Sequence, residues 1–122
     1  AGRPSRSTIV ERDGRPALVL GSPGGPRITT AVLETLINIV DFGSAPEQAV
    51  AMPRFHHQWL PDTLFYERGG FSPDVLAGLA ERGHKLSEQS PWGAVELIAI
   101  GPDRRLFGAN DPRRPAGAAA GY

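Results

Sequence analysis

The residues best placed to do chemistry are a pair of glycines at the head of a helix. Gly21-Ser22-Pro23-Gly24-Gly25-Pro26 is too rich in helix breakers to be regular structure, and it joins a β-prone run to a strong helical pattern. Glycines let backbone N–H groups approach a ligand unobstructed, and the helix N-terminus behind them favours negative charge. Such donors suit a carboxylate or the oxyanion of a tetrahedral intermediate, where one donor is worth on the order of 3 kcal/mol of barrier. A tight strand-to-helix connection accounts for the same residues with no ligand at all. The loop matches neither GxGxxG nor the phosphate-binding loop with its Gly-Lys-Ser/Thr ending.

Other reactive types are present but do not assemble by spacing. His56-His57 invites a metal reading, yet adjacent residues on an extended chain point to opposite sides, and no Asp, Glu or His partner stands at ligand spacing on a helix. A structural role beside Phe55 and Trp59 is expected there, with no metal and no cofactor. Asp62, Glu67 and Asp74 are isolated carboxylates, expected to cap or to be solvated. Arg113 and Arg114 could face an acidic ligand or form a solvated tail. There is no G-x-S-x-G elbow, and Ser22 is followed by Pro23, which has no N–H to offer an oxyanion. Thr8 and the Thr29-Thr30 pair are internal and lack a free α-amino group to act as base.

The elements that must position these residues follow from turn chemistry and periodicity. Thr8 to Glu11 and Ala17 to Leu20 flank Arg12-Asp13-Gly14-Arg15, whose Asp-Gly predicts a hairpin. A helix is expected after the glycine loop, with Ile28, Val32, Leu33, Leu36, Ile37 and Val40 on its buried stripe and Gly43 at its end. Ser44-Ala45-Pro46-Glu47 reads as a capping box for a second, short helix limited by Pro53. A loop from Arg54 to Pro61 leads to a strand at Leu64-Phe65-Tyr66, interrupted by Gly69-Gly70. Ser72-Pro73-Asp74 and Gly83 bracket a third helix that buries Leu76, Leu79 and Ala80. Val95 to Ile100 and Leu106 to Ala109 form a second hairpin around Gly101-Pro102-Asp103-Arg104-Arg105, and the Ala/Gly-rich tail from Arg113 is expected to be extended. This order suits an α+β fold with antiparallel sheet packed on helices, not a parallel doubly wound sheet. No internal repeat and no dividing linker is visible, so residues 1–122 are read as a portion of one domain.

Composition removes several classes of partner. The 122 residues carry 13 Lys+Arg and 13 Asp+Glu, so no long-range field draws the chain to nucleic acid or to an anionic membrane. No apolar run approaches the ~20 residues that span a bilayer. With 0 cysteines there is no disulfide, thiolate catalysis or Cys-type zinc site.

Several segments, in order along nearly the whole chain, resemble the γ-glutamyltransferase family. They are Thr8-Ile9-Val10, Gly21-Ser22-Pro23-Gly24-Gly25 with Arg27-Ile28-Thr29-Thr30, the run from Pro53 to Pro61, Phe71-Ser72-Pro73-Asp74, and Gly108-Ala109-Asn110-Asp111-Pro112-Arg113 with Gly121-Tyr122. The resemblance implies the C-terminal part of the small subunit of an N-terminal-nucleophile hydrolase, a four-layer αββα sandwich. In that family a precursor cuts itself, and a new N-terminal threonine attacks the γ-glutamyl carbonyl. The resulting acyl-enzyme passes its glutamyl group to water or an amino acid. Gly24 and Gly25 then become the oxyanion donors.

Two departures qualify what the resemblance implies. The chain starts at Ala1 with no N-terminal threonine, so it is expected to be inactive alone. It is expected to need the large subunit and the N-terminal part of the small subunit, or else to self-associate. The family also places Ser-Ser-Met shortly before Thr-Ile-Val to hold the substrate's α-carboxylate, whereas Arg3-Pro4-Ser5-Arg6-Ser7 stands here. Ser5 and Ser7 are the candidates to replace those hydroxyls, with Arg6 as a charged donor. The substrate implied is a γ-glutamyl compound such as glutathione, in the periplasm or outside the cell. A glutaryl-type acylase or a non-catalytic interaction module are the alternatives.

Overall fold

The computed structural model describes residues 6–121. Its elements run β1 (Arg6–Arg12), β2 (Arg15–Ser22), α1 (Arg27–Val40), α2 (Pro46–Ala51), β3 (Phe55–His56), β4 (Leu64–Glu67), α3 (Pro73–Glu81), β5 (Leu86–Gln89), β6 (Glu96–Ile100) and β7 (Leu106–Asn110). They fall into two compact units. The first is the chain up to Ala51 and from Gly93 onward, and the second is Met52–Trp92.

The first unit is a four-stranded antiparallel sheet in the order β1-β2-β6-β7. Asp13 and Gly14 both take positive φ, 53° and 77°, as the tight turn between β1 and β2 requires. Because side chains alternate across a strand, the register sorts the sheet into two faces. Leu20, Leu97 and Ala109 form one row, and Leu18 and Ala99 the next. These pack with Ala31 and Val32 of α1 and Val50 of α2 in the core. Each fully buried leucine contributes about 2 kcal/mol through lost apolar surface. The opposite face carries Ser7, Gly21, Glu96 and Asn110 in one row and Ile9, Val19, Ile98 and Gly108 in the next. Ile9 and Ile98 are exposed there.

Helix α1 buries a face rotated slightly from the expected stripe. Ala31, Val32 and Thr35 are buried, with Ile28, Leu36 and Ile39 packed beside them, while Leu33 and Val40 are exposed. Thr35 belongs to the core because its hydroxyl donates to the Ala31 carbonyl at 2.8 Å, so no polar atom is left unpaired. At the other end Gly43 takes φ 66°, its N–H donating to the Ile39 carbonyl and that of Ser44 to the Asn38 carbonyl, a left-handed glycine closure.

The second unit is a three-stranded sheet in the order β3-β4-β5. Here β3 and β4 are antiparallel but β4 and β5 are parallel, an exception to the otherwise antiparallel pairing of the described strands. Helix α3 is the crossover that returns the chain in the same direction. Ser72 caps α3 by accepting from the Val75 amide at 3.2 Å, and Pro73 occupies its first turn. Of the expected stripe, Leu76 and Leu79 are only half-buried and Ala80 is exposed. Leu64 is the buried leucine of β4, but Arg54, His56 and Glu67 are buried as well, so this unit's interior is strongly polar.

Candidate functional site

Strand β2 ends at Ser22, and the next two peptide units leave the ladder before α1 starts at Arg27. Both are pinned by their carbonyls. The Ser22 hydroxyl donates to the Pro23 carbonyl at 2.8 Å, and the Gly24 carbonyl accepts from the Arg27 amide at 3.2 Å. A trans peptide is planar, with its N–H opposite its C=O, so holding each carbonyl aims the Gly24 and Gly25 N–H groups the other way. Among the described residues neither N–H has an acceptor. Both glycines are exposed, with φ of 136° and 59°, and at Gly25 a Cβ would meet nothing within 4 Å. Helix α1 has no side-chain cap and no acidic residue in its first turn, so its positive end is not neutralised locally. The arrangement can receive an anion.

The support beneath this loop is a chain of buried side chains. Ser22, 1% exposed, also accepts from the Ala94 amide at 3.1 Å, across 72 residues of sequence. The next amide, of Val95, donates to the Asp111 carboxylate at 2.8 Å. Asp111 is fully buried and accepts from both the backbone and the guanidinium of Arg113 at 3.0 Å, and that guanidinium also donates to the Val50 carbonyl at 2.8 Å. Arg113 is therefore neither ligand-facing nor solvated, and the tail is not extended after β7. It turns at Asp111–Arg114 and Arg114–Gly117, with the Asn110 amide donating to the carbonyls of Asp111, Arg114 and Gly117. Sequence reasoning missed Asp111 and the role of Ser22. The run Asn110-Asp111-Pro112-Arg113 was the available signal, since an acid and a base two residues apart across a proline can turn back on one another.

Ser7 lies on β1 directly across from Gly21, at the same end of the sheet as the glycine loop. It lines a hollow of about 480 Å³ with Gly21, Ser22, Pro23 and Glu96. Loss of hydration and the nearby Asp111 carboxylate push the Glu96 carboxyl above its ordinary value, against a hydrogen bond from the Asp111 backbone that lowers it. Ser5 lies outside the described residues. Thr8 pairs with Leu20 on the core side of β1, and Thr29 and Thr30 sit within α1.

The His56-His57 loop, within the second unit, spends its polar groups on itself. His56 is buried, 3.0 Å from the Gln58 side-chain oxygen and stacked on Phe65. His57 meets Asp62 at 3.1 Å through one ring nitrogen, and the other accepts the Trp59 amide at 3.0 Å. Among the described residues no three His, Cys, Asp or Glu side chains are grouped to hold a metal ion. Glu67 departs from expectation: it is 4% exposed and accepts the Arg54 amide at 3.0 Å instead of being solvated. Arg54 in turn donates to the Trp92 carbonyl at 2.8 Å. No helix among the described residues is long and apolar enough to cross a membrane.

Comparison with known proteins adds what geometry alone does not. The family model described as Gamma-glutamyltranspeptidase matches residues 4–121. The glutathione hydrolase proenzyme of Escherichia coli K12 is 49% identical over 115 residues, covering 94% of this chain and 20% of that protein. The chain thus spans about one fifth of the length of that relative and of the glutathione hydrolase proenzyme of Pseudomonas sp. strain A14. Among solved structures, the T380A mutant of Helicobacter pylori gamma-glutamyltranspeptidase superposes with a TM-score of 0.87 at 38% identity, over 90% of this chain and 61% of that one. The transpeptidase CapD of Bacillus anthracis, at 22% identity and a TM-score of 0.80 over 97% of this chain and 70% of that one, shares the fold.

Proposed function

The chain belongs to the gamma-glutamyltranspeptidase family and has its α+β, N-terminal-nucleophile hydrolase fold; from that membership we propose that it supplies the oxyanion donors for transfer of a γ-glutamyl group to water or an amino acid. Attack of a threonine hydroxyl on the γ-glutamyl carbonyl converts that carbonyl into a tetrahedral oxyanion. The N–H groups of Gly24 and Gly25 donate to it, with the N-terminal end of α1 behind them. When the intermediate collapses, the C–N bond breaks, the amine leaves with a proton, and an acyl-threonine remains for water or an amine to attack. The observation that carries this reading is the pair of peptide planes held by their carbonyls with both N–H groups unspent.

The nucleophile and the rest of the substrate pocket come from segments that the longer relatives possess, so this chain alone does not turn over substrate. Those segments cover the outward sheet face with its exposed Ile9 and Ile98. Glutathione is the substrate suggested by the relatives' names, and we propose the periplasm or the extracellular space as the setting. We further propose Ser7, which pairs with Gly21, and Ser5 as the residues that help hold the donor's α-carboxylate. If that pair selects glutamyl, a γ-glutamyl anilide outcompetes a glutaryl anilide in the full assembly; preference for glutaryl assigns the chain to an acylase instead.

The decisive measurement is steady-state hydrolysis of a γ-glutamyl anilide by the full assembly carrying Gly25→Val. With nothing within 4 Å of a Cβ there but φ at 59°, the substitution acts by twisting the peptide and not by a clash. We expect kcat to fall about 100-fold or more with KM little changed, because the oxyanion exists only after attack. Equal kcat in variant and parent rejects the oxyanion assignment.

A further inference from the structure

The donor loop depends on one side chain that touches no substrate. We propose that Ser22 is a positioning residue which sets the direction of the Gly24 N–H through the Pro23 carbonyl. This rests on the reading of Gly24 and Gly25 given above and adds to it the element that orients the first donor.

The Pro23–Gly24 peptide unit has no support from the sheet. Pairing of β2 with β6 ends at Gly21, opposite Glu96, and pairing with β1 ends at Ser22. Pro23 has no N–H, and Gly24 has no side chain to limit rotation about its φ of 136°. Left to itself, this plane could rotate and turn the Gly24 N–H away from any anion. Among the described residues the only donor to the Pro23 carbonyl is the Ser22 hydroxyl, at 2.8 Å.

The hydroxyl is itself held in one orientation. The Ala94 amide donates to its oxygen at 3.1 Å, which occupies a lone pair and leaves the hydroxyl proton to point at Pro23. Ala94 in turn precedes Val95, whose amide is taken by the buried Asp111 carboxylate. Two consecutive amides are thus held by side chains from opposite ends of the chain. A relay runs from the Ala94 N–H through the Ser22 hydroxyl to the Pro23 carbonyl, and each bond polarises the next. The second donor needs no such device, because the Gly24 carbonyl is held by the Arg27 amide at the start of α1. The two donors therefore have different supports, one a side chain and the other a helix.

The test compares Ser22→Ala and Ser22→Cys with parent in the full assembly, counting active sites by stoichiometric covalent inactivation so that kcat refers to folded, competent protein. Ser22→Ala is expected to lower kcat about tenfold with KM within about twofold, short of the loss from removing a donor outright. Ser22→Cys, of similar volume with a weak donor, is expected to fall between. A purely structural hydroxyl would reduce the number of sites and leave kcat per site unchanged. Parental kcat per site in either variant, with Gly25→Val still impaired, overturns the positioning role alone. Parental kcat in Gly25→Val as well overturns the oxyanion reading beneath it. If Ser22→Ala yields no folded protein, Ser22→Cys decides by the same criterion.

Discussion

Two loops that carry candidate chemistry, Gly21 to Pro26 in the first unit and His56 to Pro61 in the second, use their hydrogen bonds in opposite ways. In the histidine loop the side chains of His56, His57 and Gln58 bond to groups of the same loop or its neighbour Asp62, and the Trp59 amide is taken as well. In the glycine loop the carbonyls are bonded and the amides of Gly24 and Gly25 are left over. Two adjacent histidines look more reactive on paper than two glycines. What decides capacity for chemistry is which donors remain after the fold has satisfied itself.

The units also differ in what their buried charges support, and the largest expected effects separate them there. Asp111→Ala leaves the buried Arg113 guanidinium without its carboxylate, and breaking such a pair costs about 3–5 kcal/mol. Glu67→Ala removes a buried acceptor from Arg54 and destabilises the second unit through the same physics. Urea midpoints of the full assembly should fall in both variants. Only Asp111→Ala should also lower kcat per titrated site, because Val95 and Ala94 lie beneath the glycine loop. Equal loss of kcat in the two would erase the distinction between the units.

Next in size is activity at the loops themselves. Gly25→Val should cost about 100-fold in kcat, whereas His57→Ala should cost less than about threefold, since the ring is engaged only with Asp62 and Trp59. A His57→Ala loss comparable to that of Gly25→Val would show that the histidine loop takes part in turnover. Smaller again is Ser72→Ala in the second unit, which removes the cap of α3 and should lower stability by about 1 kcal/mol in a denaturant titration, with kcat untouched.

What was legible in the sequence is what local chemistry decides. Asp13-Gly14 specifies the first hairpin, Gly43 the end of α1, and Ser72-Pro73 the start of α3, because each acts through its own backbone. Gly24 and Gly25 were legible as possible donors for the same reason. Strand β5 was not, because Leu86-Ser87-Glu88-Gln89 has no alternation of its own and becomes a strand only by pairing with β4. Nor was the burial of Glu67 and Asp111, whose partners at Arg54 and Val95 lie 13 and 16 residues away. Ser22 shows the limit most sharply, for its neighbour Pro23 is adjacent while Ala94 is 72 residues distant.

The smallest expected effect tests the electrostatics of the first unit's support. Glu96 opens β6 beside the segment that Asp111 holds, and its carboxyl sits above the ordinary value of 4.5 through lost hydration and the Asp111 charge. A carboxyl that holds its proton more tightly when folded contributes its full share of stability below its unfolded value and loses that share as pH rises through the folded one. Glu96→Gln, which cannot ionise, should therefore match the parent near about pH 4 and melt slightly higher than it near about pH 7, the gap opening just above the ordinary carboxylate range. Glu88 in the second unit is the counterpart, an exposed carboxylate 3.0 Å from Arg68. Glu88→Gln should shift the melting temperature little, in the opposite direction, and the shift should fade with added salt. If Glu96→Gln lowers the melting temperature at neutral pH, the carboxylate is attracted where it stands, and the clamp at Asp111 does not impose the repulsion that distinguishes this end of the sheet.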